Sequence, residues 1–159
     1  MRLVSGAVAV VTLALVIGGS PAFAGTTRGP QFGVYTANVG IAGAGHLEAS
    51  IHVNDPPATL ETTFACGRPT GRDTVTEVLN TPVILLHGGS FSFDRAASMK
   101  RFTTVTGNNA LVSQISFNAT VDVNGAFTAH GQFVGTVQLD GSPCHGTSYT
   151  ASRLAGPTP

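Results

Sequence analysis

Apolar and polar residues alternate with a period of two through most of the chain, which predicts strands with one buried face. The alternation is cleanest from His46 to Val53, with Leu47, Ala49, Ile51 and Val53 on one side and His46, Glu48, Ser50 and His52 on the other. Thr59 to Cys66 repeats it through Leu60, Thr62, Phe64 and Cys66, so the cysteine takes a core-facing position. Further short strands are expected over Phe32–Val39, Thr74–Leu79, Val83–Leu86, Ser90–Asp94, Phe102–Thr106 and Thr147–Arg153, and a helical turn is admitted at Asp94–Lys100. Asn54–Pro57, the loop Gly67–Asp73, Thr81-Pro82, Gly107–Asn109 and Asp140–Pro143 separate them. Proline removes a donor and fixes φ, while Gly, Asn and Asp suit turns.

Ile115 to Arg153 is the longest patterned stretch and reads as a hairpin followed by a final strand. Ile115, Phe117, Ala119 and Val121 alternate with polar residues, and Phe127, Ala129, Phe133, Val137 and Leu139 do so further on. A two-residue turn at Asn124-Gly125 would set the two apolar rows on opposite faces. A type I turn over Asp122–Gly125, with Gly125 as a left-handed bulge residue, pairs Val121 with Phe127 and is the expected turn.

About eight short strands, with no sustained period of 3.6, predict an all-β domain: an antiparallel β-sandwich, or alternatively a small closed β-barrel. The expected core is Leu47, Ile51, Leu60, Phe64, Phe91, Phe93, Phe117, Val121, Phe127, Phe133, Val137 and Tyr149. In the closed form, Gly131 and Gly135 on the hairpin's inner face leave room for a small apolar ligand.

The start of the chain is patterned differently. Met1-Arg2, the apolar run Leu3–Ile17 and Ala22-Phe23-Ala24 form a signal peptide with cleavage expected after Ala24. The run is short for a membrane span and no second one follows. Residues Gly25–Ala155 are then a single exported domain and Gly156–Pro159 a disordered tail, with a secreted or envelope-associated address.

Lys plus Arg number 8 and Asp plus Glu 8. Arg2 leaves with the leader, so the mature chain carries one more acid than base. With no basic block to release counterions, nucleic acid is not an expected partner. Export carries Cys66 and Cys144 into an oxidising compartment, where a Cys66–Cys144 disulfide is expected; two free thiols, or a nucleophilic cysteine aided by His145, are the alternatives.

The 5 histidines are the first place to look for chemistry. His46 and His52 share a face but lie about 20 Å apart along a strand, and His87, His130 and His145 complete no zinc-binding spacing. A metal-dependent enzyme would have to assemble them from separate strands. His87-Gly88-Gly89-Ser90 has the look of an oxyanion-hole segment but lacks a G-x-S-x-G nucleophile elbow, so it reads as a hairpin turn. Asp122–Gly125 has too few oxygens for a calcium loop. Asp94, Arg95, Lys100 and Arg101 read as a solvated mixed-charge loop. Asn118 fits the glycosylation sequon and reads as an outward strand residue.

At Cys66, Gly89–Phe93, Gly125–Phe127, Gly135–Val137, Pro143-Cys144 and Tyr149–Arg153 the chain resembles a loose group of small secreted bacterial, actinobacterial-type β-sandwich proteins. Their shared motifs are a G-x-F-S-F segment, a G-x-F and G-T-V hairpin, and a terminal C-x-x-G-x-x-Y-x-A-x-R strand. The resemblance spans Leu47 to Arg153, supports the fold and the cysteine pair, and implies no activity.

The function expected from these residues is that of a secreted, non-catalytic domain without cofactors, binding an extracellular macromolecule through a Thr- and Ser-rich surface with scattered Val78, Ala126 and Val134. A barrel for a small apolar ligand is the alternative, and a histidine metalloenzyme a third.

Overall fold

The computed structural model describes Gly29 to Ala155. The expected leader and the tail Gly156–Pro159 lie outside the described residues. Nine strands form among the described residues: β1 (Gly33–Ile41), β2 (Gly45–Val53), β3 (Thr59–Thr70), β4 (Asp73–Asn80), β5 (Ile84–Leu85), β6 (Ser90–Val105), β7 (Leu111–Phe127), β8 (Gln132–Leu139) and β9 (Thr147–Arg153). All pairings are antiparallel and belong to one sheet, with no helix among the described residues.

The all-β antiparallel expectation is borne out. Each long strand pairs with its neighbour in the chain, and β9 returns to β1 through Tyr35↔Arg153 and Thr36↔Ser152. The circuit β1-β2-β3-β4-β6-β7-β8-β9 therefore closes, which is the closed form of that expectation, with β5 added beside the start of β3. Closure turns one face of every strand inward. Tyr35, Leu47, Ile51, Leu60, Phe64 and Leu79 are buried there, opposite Phe91, Val121, Phe133, Val137 and Tyr149.

The long hairpin differs from expectation. β7 runs straight through Asp122–Gly125, pairing Val123 with Val137 and Gly125 with Gly135, and the chain turns instead at Thr128–Gly131. Parity explains it, because Phe117, Ala119, Val121, Val123, Gly125 and Phe127 fall in one unbroken inward phase. A single strand satisfies all six, whereas the bulged turn sacrifices Val123. Thr128 N–H then donates to Gln132 C=O, and Gly131 N–H to Thr128 C=O. Gly131, with φ of +77°, belongs to this turn and not to the inner face.

Two other loops are strand. Gly67–Thr70 continues β3 against β4, so the turn shrinks to Gly71-Arg72. Asp94–Arg101 lies wholly within β6, so neither a helical turn nor a loop forms there. His87–Ser90 is a hairpin turn as expected, with Gly88 and Gly89 at φ of +59° and +85°, the two positive values a type I′ turn demands.

No space is left beside Gly135. A Cβ there would fall on the Asn124 carbonyl oxygen and lie 2.8 Å from the Tyr149 hydroxyl. At the facing Gly125 a Cβ would lie 2.7 Å from the same hydroxyl. Tyr149 thus lies across a glycine pair and donates to the Asn124 carbonyl at 2.7 Å. Burial pushes its phenol pKa upward, so it stays a donor. Phe64 meets it edge-on, while Tyr35, Phe91, Phe127 and Phe133 form a second aromatic cluster.

The two rims of the circuit are closed differently. At one, Cys66 and Cys144 are joined, with Cα atoms 5.9 Å apart and a sequence separation of 78. The bond draws the β8–β9 connection inward; Ser142 Oγ donates to Cys66 Sγ at 3.0 Å and accepts from the Cys144 amide at 3.3 Å. At the other, Arg153 donates to Gln31 Oε1 and to the Phe32 carbonyl, and the Tyr35 hydroxyl bonds the Gln31 backbone, fastening the chain that leads into β1.

Replacing both cysteines by alanine is expected to cost about 4 to 5 kcal/mol by loop-closure entropy, read as a lower guanidinium midpoint than that of the oxidised protein. Gly135→Ala is expected to cost roughly 3 kcal/mol or more in the same assay, because Tyr149 and the β7 backbone must both move. Gly131→Ala, strained in φ but open in space, is expected to cost about 1 kcal/mol.

Candidate interaction surface

Strands of a closed sheet tilt and stagger, so their ends do not align. The stagger is largest in the β6–β7 hairpin, whose strands have 16 and 17 residues. β4 covers β6 from Met99 to Val105, and β8 covers β7 from Val121 to Phe127. On their outer sides, β6 before Met99 and β7 before Val121 lack a strand neighbour. Together with the end of the β3–β4 hairpin, which stays paired with it as far as Asp73↔Val105, the hairpin's distal half projects past the disulfide rim as an arm whose β7 edge is open.

Hydrogen-bond phase shows which backbone groups are open. Phe127 N–H donates to Gly89 C=O, which makes the odd residues of β6 and β7 the mutually bonded pairs. Even residues face outward. On β7 these are Gln114, Ser116 and Asn118; Val112 is the extra residue of a bulge opposite Thr103 and Thr104, and at the other end Thr120 gives its carbonyl to Asp140 N–H. On β6 they are Ser92, Asp94 and Ala96.

The two open edges have opposite chemistry. That of β6 faces β5 across a slot containing a cleft of about 410 Å³ along Val83–Leu85 and Ser92–Arg95, and a second of about 370 Å³ toward Pro82 and Ala96–Ser98. Arg95 occupies the inward row of β6 yet is exposed, its guanidinium 4.4 Å from the Phe93 ring centroid. An inward charge and a nearby proline both discourage strand pairing. The edge of β7 carries no such guard: Leu111–Thr120 contains no charged residue, proline or glycine. Leu111, Val112 and Ile115 are 61%, 57% and 49% exposed, high values for β-forming apolar side chains.

The arm is held in place by a contact that the sequence pattern concealed. Glu77 on β4 is 3% exposed, in the inward row beside Cys66. Arg101 across the ladder donates to its Oε1 from Nε at 3.0 Å and from Nη2 at 2.6 Å, and lies 4.7 Å from the Phe117 ring centroid. Expected as part of a solvated loop, Arg101 instead neutralises a buried carboxylate at the root of the arm. The signal available was the parity of Glu77 with Leu79, which places a carboxylate on the inner face.

Of the sequence-predicted site residues, Cys66 and Cys144 are brought together. The histidines are not. His46 approaches Glu48 at 3.9 Å, His145 approaches Asp140 at 3.8 Å, His52 adjoins Phe32, and His87 and His130 sit in separate turns. Among the described residues no three His, Cys, Asp or Glu side chains converge as a metal site. No helix among them is long and apolar enough to cross a membrane. Comparison with family models, curated proteins and solved structures returned no match for this chain.

Arg101→Ala is expected to lower stability by about 1 to 3 kcal/mol, since it strands the Glu77 carboxylate. In a double-mutant cycle Glu77→Gln is expected to remove most of that penalty; additive losses would mean that the pair does not couple.

Proposed function

We propose that this chain is an exported, non-catalytic domain that binds another polypeptide outside the cell, by strand addition along the open edge of β7. One observation carries the reading: within Leu111–Thr120 the outward N–H and C=O groups of Gln114, Ser116 and Asn118 have no strand neighbour and no guarding charge. An extended polypeptide satisfies such an edge, because its own backbone repeats donors and acceptors at the same spacing. Exposed Leu111, Val112 and Ile115 add apolar contacts on both faces.

Other features agree with an extracellular address. The disulfide suits an oxidising compartment. The leader-like start, and the resemblance to small exported bacterial β-proteins at the motifs around the cysteines, point the same way. A second reading, a small apolar ligand, is favoured by the slot beside β5, where Val83 and Leu85 are 55% and 59% exposed next to the 410 Å³ cleft.

A photo-crosslinking residue at Gln114 of the exported protein, compared with one at Glu48 on the far face of β2, tests the edge on living cells. One discrete heavier species from position 114 and none from 48 is expected. Adducts from both positions, or from neither, would overturn the reading.

A further inference from the structure

We infer that the partner received by the β7 edge is a second copy of this chain, joined across a two-fold axis at Ser116. The inference rests on the reading of β7 as a contact edge and goes beyond it by naming the occupant.

An antiparallel edge is self-complementary only if outward-bonding residues meet outward-bonding residues in both copies. The even phase of β7 meets that condition. With the axis at Ser116, Ser116 faces its own mate and Gln114 faces Asn118, each turning N–H and C=O toward the other as hydrogen-bonded antiparallel pairs. The pairing stops short of Thr120, whose carbonyl is held by Asp140 N–H, and of the bulge at Val112. The odd residues follow in register. Ile115 faces Phe117 and Ser113 faces Ala119, so the apolar pair occurs twice on one side of the joined sheet and the amide pair twice on the other.

Charge favours the same occupant. A self-pairing edge must avoid like charges opposite one another, because every charge meets its own kind near the axis. Leu111–Thr120 has none. The nearest cations, Lys100 and Arg101, pair with Ser116 and Ile115 from the β6 side, one strand back from the edge. Arg101 is already neutralised by Glu77. An edge built for a charged foreign strand would be expected to display a complementary charge.

Backbone geometry also supplies a clean test. Ser116 N–H points away from β6, so Ser116→Pro removes a donor at the proposed axis and no ladder bond within the chain. Ser116→Lys sets two ammonium groups against each other there. Sedimentation equilibrium of the oxidised protein from micromolar to millimolar concentration is expected to show the wild type passing from one to two copies. Both variants are expected to remain single copies throughout. Amide exchange at Gln114 and Asn118 is expected to slow with concentration in the wild type alone.

A dimer that persists in both variants would overturn the inference by placing the contact elsewhere. A wild type that stays monomeric would also overturn it. The cross-link from position 114 then separates the two levels: an adduct of other than twice the chain mass keeps the edge as a binding site for a foreign strand, and no adduct removes the edge altogether.

Discussion

Closure of the sheet is the constraint on which the rest depends. A circuit of eight strands has one inside, so each strand must hold a single side-chain phase wherever it borders that interior. β7 shows how strictly this applies. Asp122, Asn124 and Gly125 favour a turn locally, yet breaking the strand there would have taken Val123 out of the core. Burial of that side chain, together with a continuous ladder to β8, outweighs the local preference. The glycine then serves a different purpose: with no Cβ at Gly125 or Gly135, the Tyr149 ring can cross the sheet and bond the Asn124 carbonyl.

Closure by tilted strands also fixes where the sheet cannot be satisfied. Stagger leaves unequal strand ends at both rims, and the longest hairpin carries the largest remainder. One remainder, along β6, is screened by β5, Pro82 and the inward Arg95. The other, along β7, is bare. The same geometric necessity has therefore been handled by exclusion on one side and left open on the other, and the difference lies wholly in side-chain choice.

An open edge is useful only if it is held rigidly. The arm joins the body where Glu77, Arg101 and Phe117 meet beside the Cys66–Cys144 bond. The disulfide holds the β8–β9 connection against β3, and the ion pair ties β4 to β6 in the adjoining row. Covalent and electrostatic restraints thus converge at the root of the arm. A strand presented by a restrained platform loses less conformational entropy on pairing than a mobile one.

Several features could be read from the residues alone. Alternation in His46–Val53 and Thr147–Arg153 located β2 and β9, the buried phase of Cys66 suited its bond to Cys144, and paired glycines after His87 marked a tight turn. These succeed because strand phase and turn chemistry are local, set by a residue and its near neighbours. Other features were decided by tertiary structure. The straight course of β7, the continuation of β3 beyond Gly67 and the Glu77–Arg101 pair each depend on what stands on the adjacent strand. So does the open edge: that Leu111–Thr120 lacks a neighbour follows from where β8 ends, a fact about closure and stagger that no local pattern encodes.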